Sequence, residues 1–215
     1  MRRRALQVAA LTAVLLSGSV LPSAAQPPIR DYGGPVAVAG AFGGAIPTAE
    51  HLDNGTYAGA MFFVSFGSHV GVNVEAGGDD VAIDRPGFRS DLMPRFANLN
   101  LVVRWRSGPF KPFKPFITGG VGAYRYTIDV SQGALTDSSL RATLLALGLS
   151  PSTSGSIRVR HDEPGINLGG GFEYFVARRS ALLMDVRAHA TRDFVEIAPF
   201  GGVFVNLAVG FRQYF

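Results

Sequence analysis

The last thirteen residues of the chain alternate between two kinds of side chain. One set is apolar: Val203, Val205, Leu207, Val209, Phe211 and Phe215. The other set mixes polar, small and aromatic residues: Phe204, Asn206, Ala208, Gly210, Arg212 and Tyr214. Because successive side chains of a strand point to opposite faces, this pattern predicts a β-strand with one apolar face. Gln213 interrupts that face near its end.

The same period of two recurs in four upstream segments, where apolar residues alternate with polar, charged, small or glycine residues. These segments are 70–76, 98–105, 166–174 and 182–189. One or two such segments could arise by chance, but five of them indicate a sheet. Weaker alternation predicts three more strands at 36–42, 57–66 and 116–127, the last with glycines that permit a β-bulge. The total is eight strands.

The links between these strands alternate between short and long. Short links fall at 67–68 and 177–180, with a middling one at 107–114. Long polar links fall at 43–56, 78–93, 128–164 and 190–199. Short periplasmic turns and long outer loops are typical of transmembrane β-barrels, whose closure leaves no sheet edge exposed to lipid. The pattern therefore predicts an all-β fold, an eight-stranded antiparallel up-and-down transmembrane β-barrel with its N- and C-termini periplasmic.

The alternation also predicts which side chains point into the barrel. Six charged residues and three asparagines share the non-apolar face: Glu75, Arg104, Glu173, Asp185, Arg187, Arg212, Asn73, Asn98 and Asn100. The interior of an eight-stranded barrel is just wide enough for side chains to fill it. Because acids and bases are nearly balanced here, we expect a paired structural network, with a narrow ion path as the alternative.

Aromatic residues fall where the two bilayer interfaces are expected. Four lie near the periplasmic ends of the predicted strands: Trp105, Phe116, Tyr174 and Phe215. Three lie near the outer ends: Tyr57, Tyr124 and Tyr126. Such girdles flank the lipid-facing band of membrane barrels. The alternative explanation is the general preference of aromatic residues for strands.

Residues 1–25 have the features of a secretory signal peptide. Three arginines precede an apolar stretch over 5–16, and the small residues Ser23, Ala24 and Ala25 form a cleavage site before Gln26. The apolar stretch is shorter than the roughly 20 residues that a spanning helix needs. An uncleaved anchor is the alternative. The predicted division is a signal peptide at 1–25 and an outer-membrane β-barrel domain at 26–215.

Composition narrows the range of partners and sites. Loss of the three leading arginines would lower the formal net charge from +4 to +1, so the pI of 9.8 does not indicate nucleic-acid binding. The absence of cysteine excludes disulfides, lipid attachment at an N-terminal cysteine and thiolate metal sites. A weak cation site at Asp79, Asp80 and Asp84 is less favoured than a solvated loop. We expect no cofactor and no metal.

Four motifs occur in a characteristic order: KPFITGGVGAY at 114–124, GGGFEY at 169–174, MDVRAH at 184–189 and VGFRQYF at 209–215. Together they resemble the OmpA/OmpX-like superfamily of small outer-membrane barrels, especially its porin-like "outer membrane protein β-barrel domain" members. The resemblance implies that the barrel-assembly machinery recognises the C-terminal segment ending at Phe215, although Gln213 stands where that pattern is usually apolar. We expect a monomer surrounded by outer-membrane lipids and lipopolysaccharide.

Two features near the outer ends suggest further roles. Residues 137–147 can form a helix in the longest loop, either a lid over the barrel mouth or, as we prefer, a helix on its rim.

His189 and Thr191 stand two apart where small barrel lipases keep a His and a Ser, a faint resemblance to the lipid A deacylases. Thr191 replaces the serine and is followed by Arg192, and Glu196 could orient His189. A rim histidine is therefore the preferred interpretation.

These observations favour a protein of the outer membrane of a Gram-negative-type bacterium, which is not an enzyme. Its structural or surface-interaction role would be carried by the outer loops, because exposed loops on a rigid scaffold often carry function. One alternative is a narrow pore for small solutes, and a lower one is a lipid A deacylase-like esterase using His189 and Thr191. A soluble secreted barrel, with Leu99, Leu101 and Val103 turned inward, is a further alternative.

Overall fold

A computed structural model shows a closed barrel of eight antiparallel strands that follow one another in chain order. The structure describes residues 32–48, 52–85, 88–105, 112–130, 157–191 and 203–215. The strands are β1 (Val36–Pro47), β2 (Gly55–Phe66), β3 (Val70–Arg85), β4 (Phe88–Arg104), β5 (Phe113–Val130), β6 (Ile157–Ala177), β7 (Ser180–Thr191) and β8 (Val203–Tyr214). Pairing of β1 with β8 closes the sheet. The predicted fold class and strand count are confirmed.

The outward face of the barrel carries a continuous band of exposed apolar side chains, called the apolar belt below. Leu99 and Leu101 are 55% and 54% exposed, and Leu168 is 70% exposed. Other members of the belt are Val38, Phe42, Phe62, Val74, Ile117, Val121, Ile166, Val186, Leu207 and Val209. The soluble alternative requires these side chains to fill a dry core, and the structure contradicts it.

The inward face carries every charged and asparagine side chain that the alternation assigned to it. All nine of those residues are buried, and their exposed fractions are 5% or less. Small residues make room for them: Ala37, Ala39 and Ala41 line the inner side of β1. The interior is therefore filled by polar and aromatic side chains packed among small ones, as expected for a narrow barrel.

The proposed aromatic girdles are only partly correct. Trp105, Tyr174 and Phe215 are exposed on the outside, but Phe116 is buried in the interior. The three outer tyrosines, Tyr57, Tyr124 and Tyr126, also point inward and are buried. Their positions have the same parity as the inward polar residues of their strands, and each hydroxyl finds a polar partner inside the barrel. The prediction of an outer girdle of tyrosines is therefore wrong.

The strands of one half of the barrel are longer than the alternation indicated. Residues 78–85 and 88–93, which the alternation placed in a loop, continue β3 and β4, and β6 begins at Ile157. Pairing among these strands persists to Arg85↔Phe88 between β3 and β4, and to Val130↔Ile157 between β5 and β6. We call residues 79–85, 88–95, 125–130 and 157–163 the raised wall, because they extend these four strands beyond the apolar belt.

The polarity of the sheet inverts over part of the raised wall, although Asp79 and Glu163 are still buried inside. Its inward side chains Val81, Ile83 and Leu92 are buried, whereas Arg95, Arg125, Arg160, Asp80 and Asp162 are exposed on the outside. This is the arrangement of a sheet that faces water. The segment before β2 joins the wall through a bridge between Leu52 and Ile83.

The two ends of the barrel differ. One, the turn end, carries tight turns at 67–69 and 178–179 and both described chain ends, Tyr32 and Phe215. Gly67 takes a positive φ of 84° in the first of these turns. Lys114 Nζ donates a hydrogen bond of 2.5 Å to the carbonyl of Tyr32, which holds the N-terminal segment against this end. The other end, called the loop end, carries the raised wall.

Several predicted features lie outside the described residues: the signal peptide, the loop helix at 137–147 and Glu196. Within the described ranges, no helix is long and apolar enough to cross a bilayer.

Candidate functional site

The polar interior is the first candidate site, and its turn-end part is organised around one carboxylate. Arg212 forms an ion pair with Glu173, and the hydroxyl of Tyr214 lies 2.8 Å from both Glu173 oxygens. Arg104 Nη1 donates to the Tyr214 hydroxyl at 3.0 Å and lies 3.9 Å from Glu173. Two guanidinium groups therefore share one carboxylate. We call these four residues the turn-end cluster.

Both arginines of the turn-end cluster are also held by neighbours of other kinds. Arg104 Nη2 donates to the Ser65 hydroxyl at 2.7 Å. Phe63 lies beside the two guanidinium groups, with ring-centre distances of 4.5 Å to Arg104 and 5.3 Å to Arg212. Cation–π contact in a desolvated site adds to the Coulombic attraction and fixes the positions of the arginines.

A second cluster lies in the middle of the barrel and has the opposite balance of charge. Arg187 forms ion pairs with both Glu75 and Asp185. The Tyr57 hydroxyl donates to Glu75 at 2.9 Å, and Asn100 Nδ2 donates to Glu75 at 3.2 Å. We call these five residues the central cluster. One guanidinium serves two carboxylates here, so the two clusters together balance three arginines with three acids.

His189 lies nearer the loop end, where the esterase hypothesis placed a catalytic base. Its Nδ1 lies 3.0 Å from the Tyr124 hydroxyl, and its Nε2 lies 3.4 Å from Asn206 Nδ2. The Thr191 hydroxyl lies 3.0 Å from a different group, the Tyr126 hydroxyl. The structure thus places both candidate residues inside the barrel, but each contacts another partner, and no described hydrogen bond joins them.

The described ranges show no group of three or more His, Asp or Glu side chains that could hold a metal ion. The weak cation site considered at 79–84 is divided between the two faces of β3. Asp79 is buried inside the barrel, and Asp80 is exposed outside. Two acids that alternate along a strand cannot converge on one ion.

Comparison with solved structures identifies the fold. The outer membrane protein OprG from Pseudomonas aeruginosa is 16% identical with a TM-score of 0.53, over 87% of this chain and 100% of that one. Neisserial surface protein A is 14% identical with a TM-score of 0.54, over 84% and 96%. A major outer membrane protein from Thermus thermophilus is 12% identical with a TM-score of 0.54, over 83% and 98%. The chain has the fold of the small outer-membrane β-barrels.

At these identities the similarity shows the fold alone. Neither protein-family models nor curated proteins give a match to the sequence.

The alternation placed Tyr214 on the non-apolar face, but sequence reasoning missed the hydrogen bonds that Tyr214, Tyr57 and Tyr124 make in the polar interior. Tyr214 and Tyr57 each donate to a buried glutamate, and Tyr124 contacts His189. The available signal was the spacing of two residues that places side chains on one face of a strand. Tyr214 shares a face with Arg212, and Tyr124 shares one with the small residues Gly120 and Gly122. A buried tyrosine hydroxyl needs a hydrogen-bond partner, which a polar interior supplies.

The C-terminal segment has a polar residue, Gln213, where an apolar one is expected, and the structure shows the hydrogen bonds that this side chain makes. Gln213 points outward at the turn end, where its Oε1 accepts a hydrogen bond of 2.8 Å from Ser180. Its Nε2 donates to the Tyr214 carbonyl at 3.1 Å. Phe215 is exposed beyond the strand, and its amide donates to the carbonyl of Val36. The polar side chain is thus satisfied locally at the edge of the apolar belt.

Proposed function

We propose that this protein is a non-catalytic outer-membrane barrel whose structural or surface-interaction role is carried by its loop end. The observation that carries the proposal is the combination of an apolar belt outside with a filled interior, in which two clusters pair three arginines with three acids. Such an interior supports a rigid scaffold, because breaking a buried ion pair costs roughly 3–5 kcal/mol. The raised wall adds a water-compatible surface beyond the belt, where a partner could bind.

The proposed orientation places the turn end in the periplasm and the loop end outside the cell. Short turns and both described chain ends lie together at one end, as in barrels whose periplasmic turns are short. Recognition of the segment ending at Phe215 by the barrel-assembly machinery, and a monomeric state, belong to the same proposal. The aromatic side chain of Phe215 is exposed at the turn end, which supports this part of the proposal.

Membrane fractionation combined with heat-modifiability tests the proposal. We expect the protein in the outer-membrane fraction, and we expect the unheated form to migrate faster than the boiled form on a denaturing gel. The physical reason is that a closed barrel stays compact until heat breaks its strand pairing. Equal mobility, together with recovery from the soluble periplasmic fraction, would contradict the proposal.

The pore and esterase alternatives make different predictions in the same preparation. A pore would give discrete conductance steps in planar bilayers that change when Arg104 or Glu173 is neutralised. We expect no such steps, because the turn-end and central clusters fill the lumen at two levels. An esterase would release acyl chains from lipopolysaccharide and lose this activity in His189→Ala. We expect no release from the unmutated protein.

A further inference from the structure

The segment that precedes β1 crosses the turn end of the barrel, and we call its residues 32–35 the strap. Tyr32 packs on the Phe175 ring of β6, with ring centres 5.3 Å apart. The Tyr32 carbonyl accepts the 2.5 Å hydrogen bond from Lys114 of β5, whose Nζ also lies 4.6 Å from the centre of the Phe175 ring. Strands β5 and β6 therefore hold a segment that is joined to β1.

This arrangement takes the strap across the mouth of the barrel. In a closed ring of eight strands, β5 lies four strands from β1 in either direction and is therefore opposite to it. A segment that leaves β1 and is bound by side chains of β5 and β6 must pass over the lumen. The interior of an eight-stranded barrel is only wide enough for its own side chains, so a few residues are enough to cover its mouth.

A glycine fixes the middle of the strap against two aromatic rings. Gly33 has a positive φ of 98°, which glycine adopts without steric cost. A Cβ built on Gly33 would lie 3.5 Å from the Tyr214 ring and 3.6 Å from the Phe175 ring, so the backbone itself packs on both. The Gly33 amide donates to the Arg178 carbonyl at 2.9 Å, in the turn between β6 and β7. The strap is thus held at two successive residues.

The two rings under the strap lie between it and the turn-end cluster. Phe175 and Tyr214 stack with ring centres 5.5 Å apart, and both are buried. The hydroxyl of Tyr214 is the group that lies 2.8 Å from both oxygens of Glu173. Opposite charges attract more strongly in dry surroundings than in water, where the solvent screens them. A cover over these rings therefore supports the ion pairs beneath them.

We propose that the strap seals the turn end of the barrel, so that water on this side does not reach the turn-end cluster. The inference goes beyond the proposed scaffold role, because it assigns the closure of one mouth to residues outside the sheet. Under the proposed orientation the sealed mouth faces the periplasm. The contacts that form the seal are the same in either orientation.

The test measures water access with a single thiol, because the chain has no cysteine of its own. Ala181→Cys places the thiol inside the barrel at the turn end, where Ala181 is fully buried and pairs with Arg212 of the turn-end cluster. Ala45→Cys is the matched reporter, because Ala45 is also fully buried inside but pairs with Asn206 nearer the loop end. The rate of reaction with iodoacetamide is measured on the folded barrel in nanodiscs, and heat-modifiability shows that each form is folded.

Two substitutions release the strap without touching a strand. Tyr32→Ala removes the ring contact with Phe175, and Gly33→Val puts a β-branched residue where φ is positive, which such residues rarely adopt. We expect the double variant to react roughly tenfold faster at Ala181→Cys, because the lost ring contact and the backbone strain together favour the open strap. Gly40→Val is the matched control, since a Cβ at Gly40 would meet nothing within 4 Å.

The strap variants should leave the rate at Ala45→Cys unchanged, and Gly40→Val should change neither reporter. Unchanged protection of Ala181→Cys in the folded double variant would overturn the inference, because the strap would then exclude no water. An equal rise at both reporters would overturn it as well, because the whole barrel would then be opening. Both results come from the purified barrel, so they are separate from the fractionation experiment that tests the proposed function.

Discussion

Glu173 is the carboxylate on which the turn-end cluster depends. It is fully buried and has three partners: the ion pair with Arg212, the longer contact with Arg104, and the Tyr214 hydroxyl. Removing its charge would leave two guanidinium groups in a desolvated space without a carboxylate. A buried charge that loses its partner carries an uncompensated desolvation cost, whereas an exposed one is solvated by water.

We therefore expect Glu173→Gln to lower the free energy of unfolding by about 3–5 kcal/mol. The measurement is urea unfolding of the barrel in lipid vesicles, followed by the fraction that still runs as the compact, unheated form. Asp162→Asn is the matched control, because Asp162 forms an exposed ion pair with Arg125 and should change stability little. Similar urea midpoints for both variants would show that the cluster is not a structural network.

At this scale the sequence predicted directions but not partners. Alternation assigned Glu75, Arg104, Glu173, Asp185, Arg187 and Arg212 to the interior, and all six are there. Which acid pairs with which base depends on the stagger between strands, and a single strand's pattern contains no information about stagger. The link between Arg104 and Tyr214, 110 residues apart in sequence, could not have been inferred.

At the scale of single strands, the part of each strand nearer the turn end was predictable from the sequence. The parts of β3–β6 that form the raised wall were not. Nearer the turn end the apolar side chains face outward, which is the pattern expected of a membrane barrel. In the raised wall the apolar residues Val81 and Ile83 face inward instead, so the period of two continues but the apolar side chains are on the opposite face. Asp79, Asp80 and the nearby Pro94 also look like loop residues in isolation. Pairing with neighbouring strands, which sequence periodicity does not show, overrides that local preference.

Glycines on β6 allow close approach of neighbouring groups, and one of them offers a direct test. A Cβ built on Gly171 would lie 1.8 Å from the Met184 carbonyl oxygen of β7. We expect Gly171→Ala to reduce stability by about 1–3 kcal/mol, the usual cost of overpacking, and to slow assembly of the barrel. Heat-modifiability at graded temperatures measures the loss.

The matched control for this prediction is Gly40→Ala on β1. A Cβ at Gly40 would meet nothing within 4 Å, so that variant should melt at the temperature of the unmutated protein or slightly above it. If both alanine variants melt together, close packing at β6 does not limit stability.

At the scale of the whole molecule the barrel is asymmetric about its axis. Strands β1, β2, β7 and β8 have 12 residues each, whereas β3 to β6 have between 16 and 21. A tilted strand needs only about 9–11 residues to cross the bilayer. The longer four therefore project on one side, and they bring Arg95, Arg125 and Asp162 to the same outer surface.

The orientation of this asymmetric molecule can be tested by cysteine labelling, because the chain has no cysteine of its own. Asp80→Cys places a thiol on the exposed face of the raised wall, and Ser68→Cys places one in the exposed turn at 67–69. With a membrane-impermeant maleimide, we expect intact cells to label Asp80→Cys, because the loop end faces outward, and to label Ser68→Cys only after lysis. The unmutated protein, which should not react, controls for other labelled material. The reverse result, with Ser68→Cys labelled in intact cells, would place the raised wall in the periplasm.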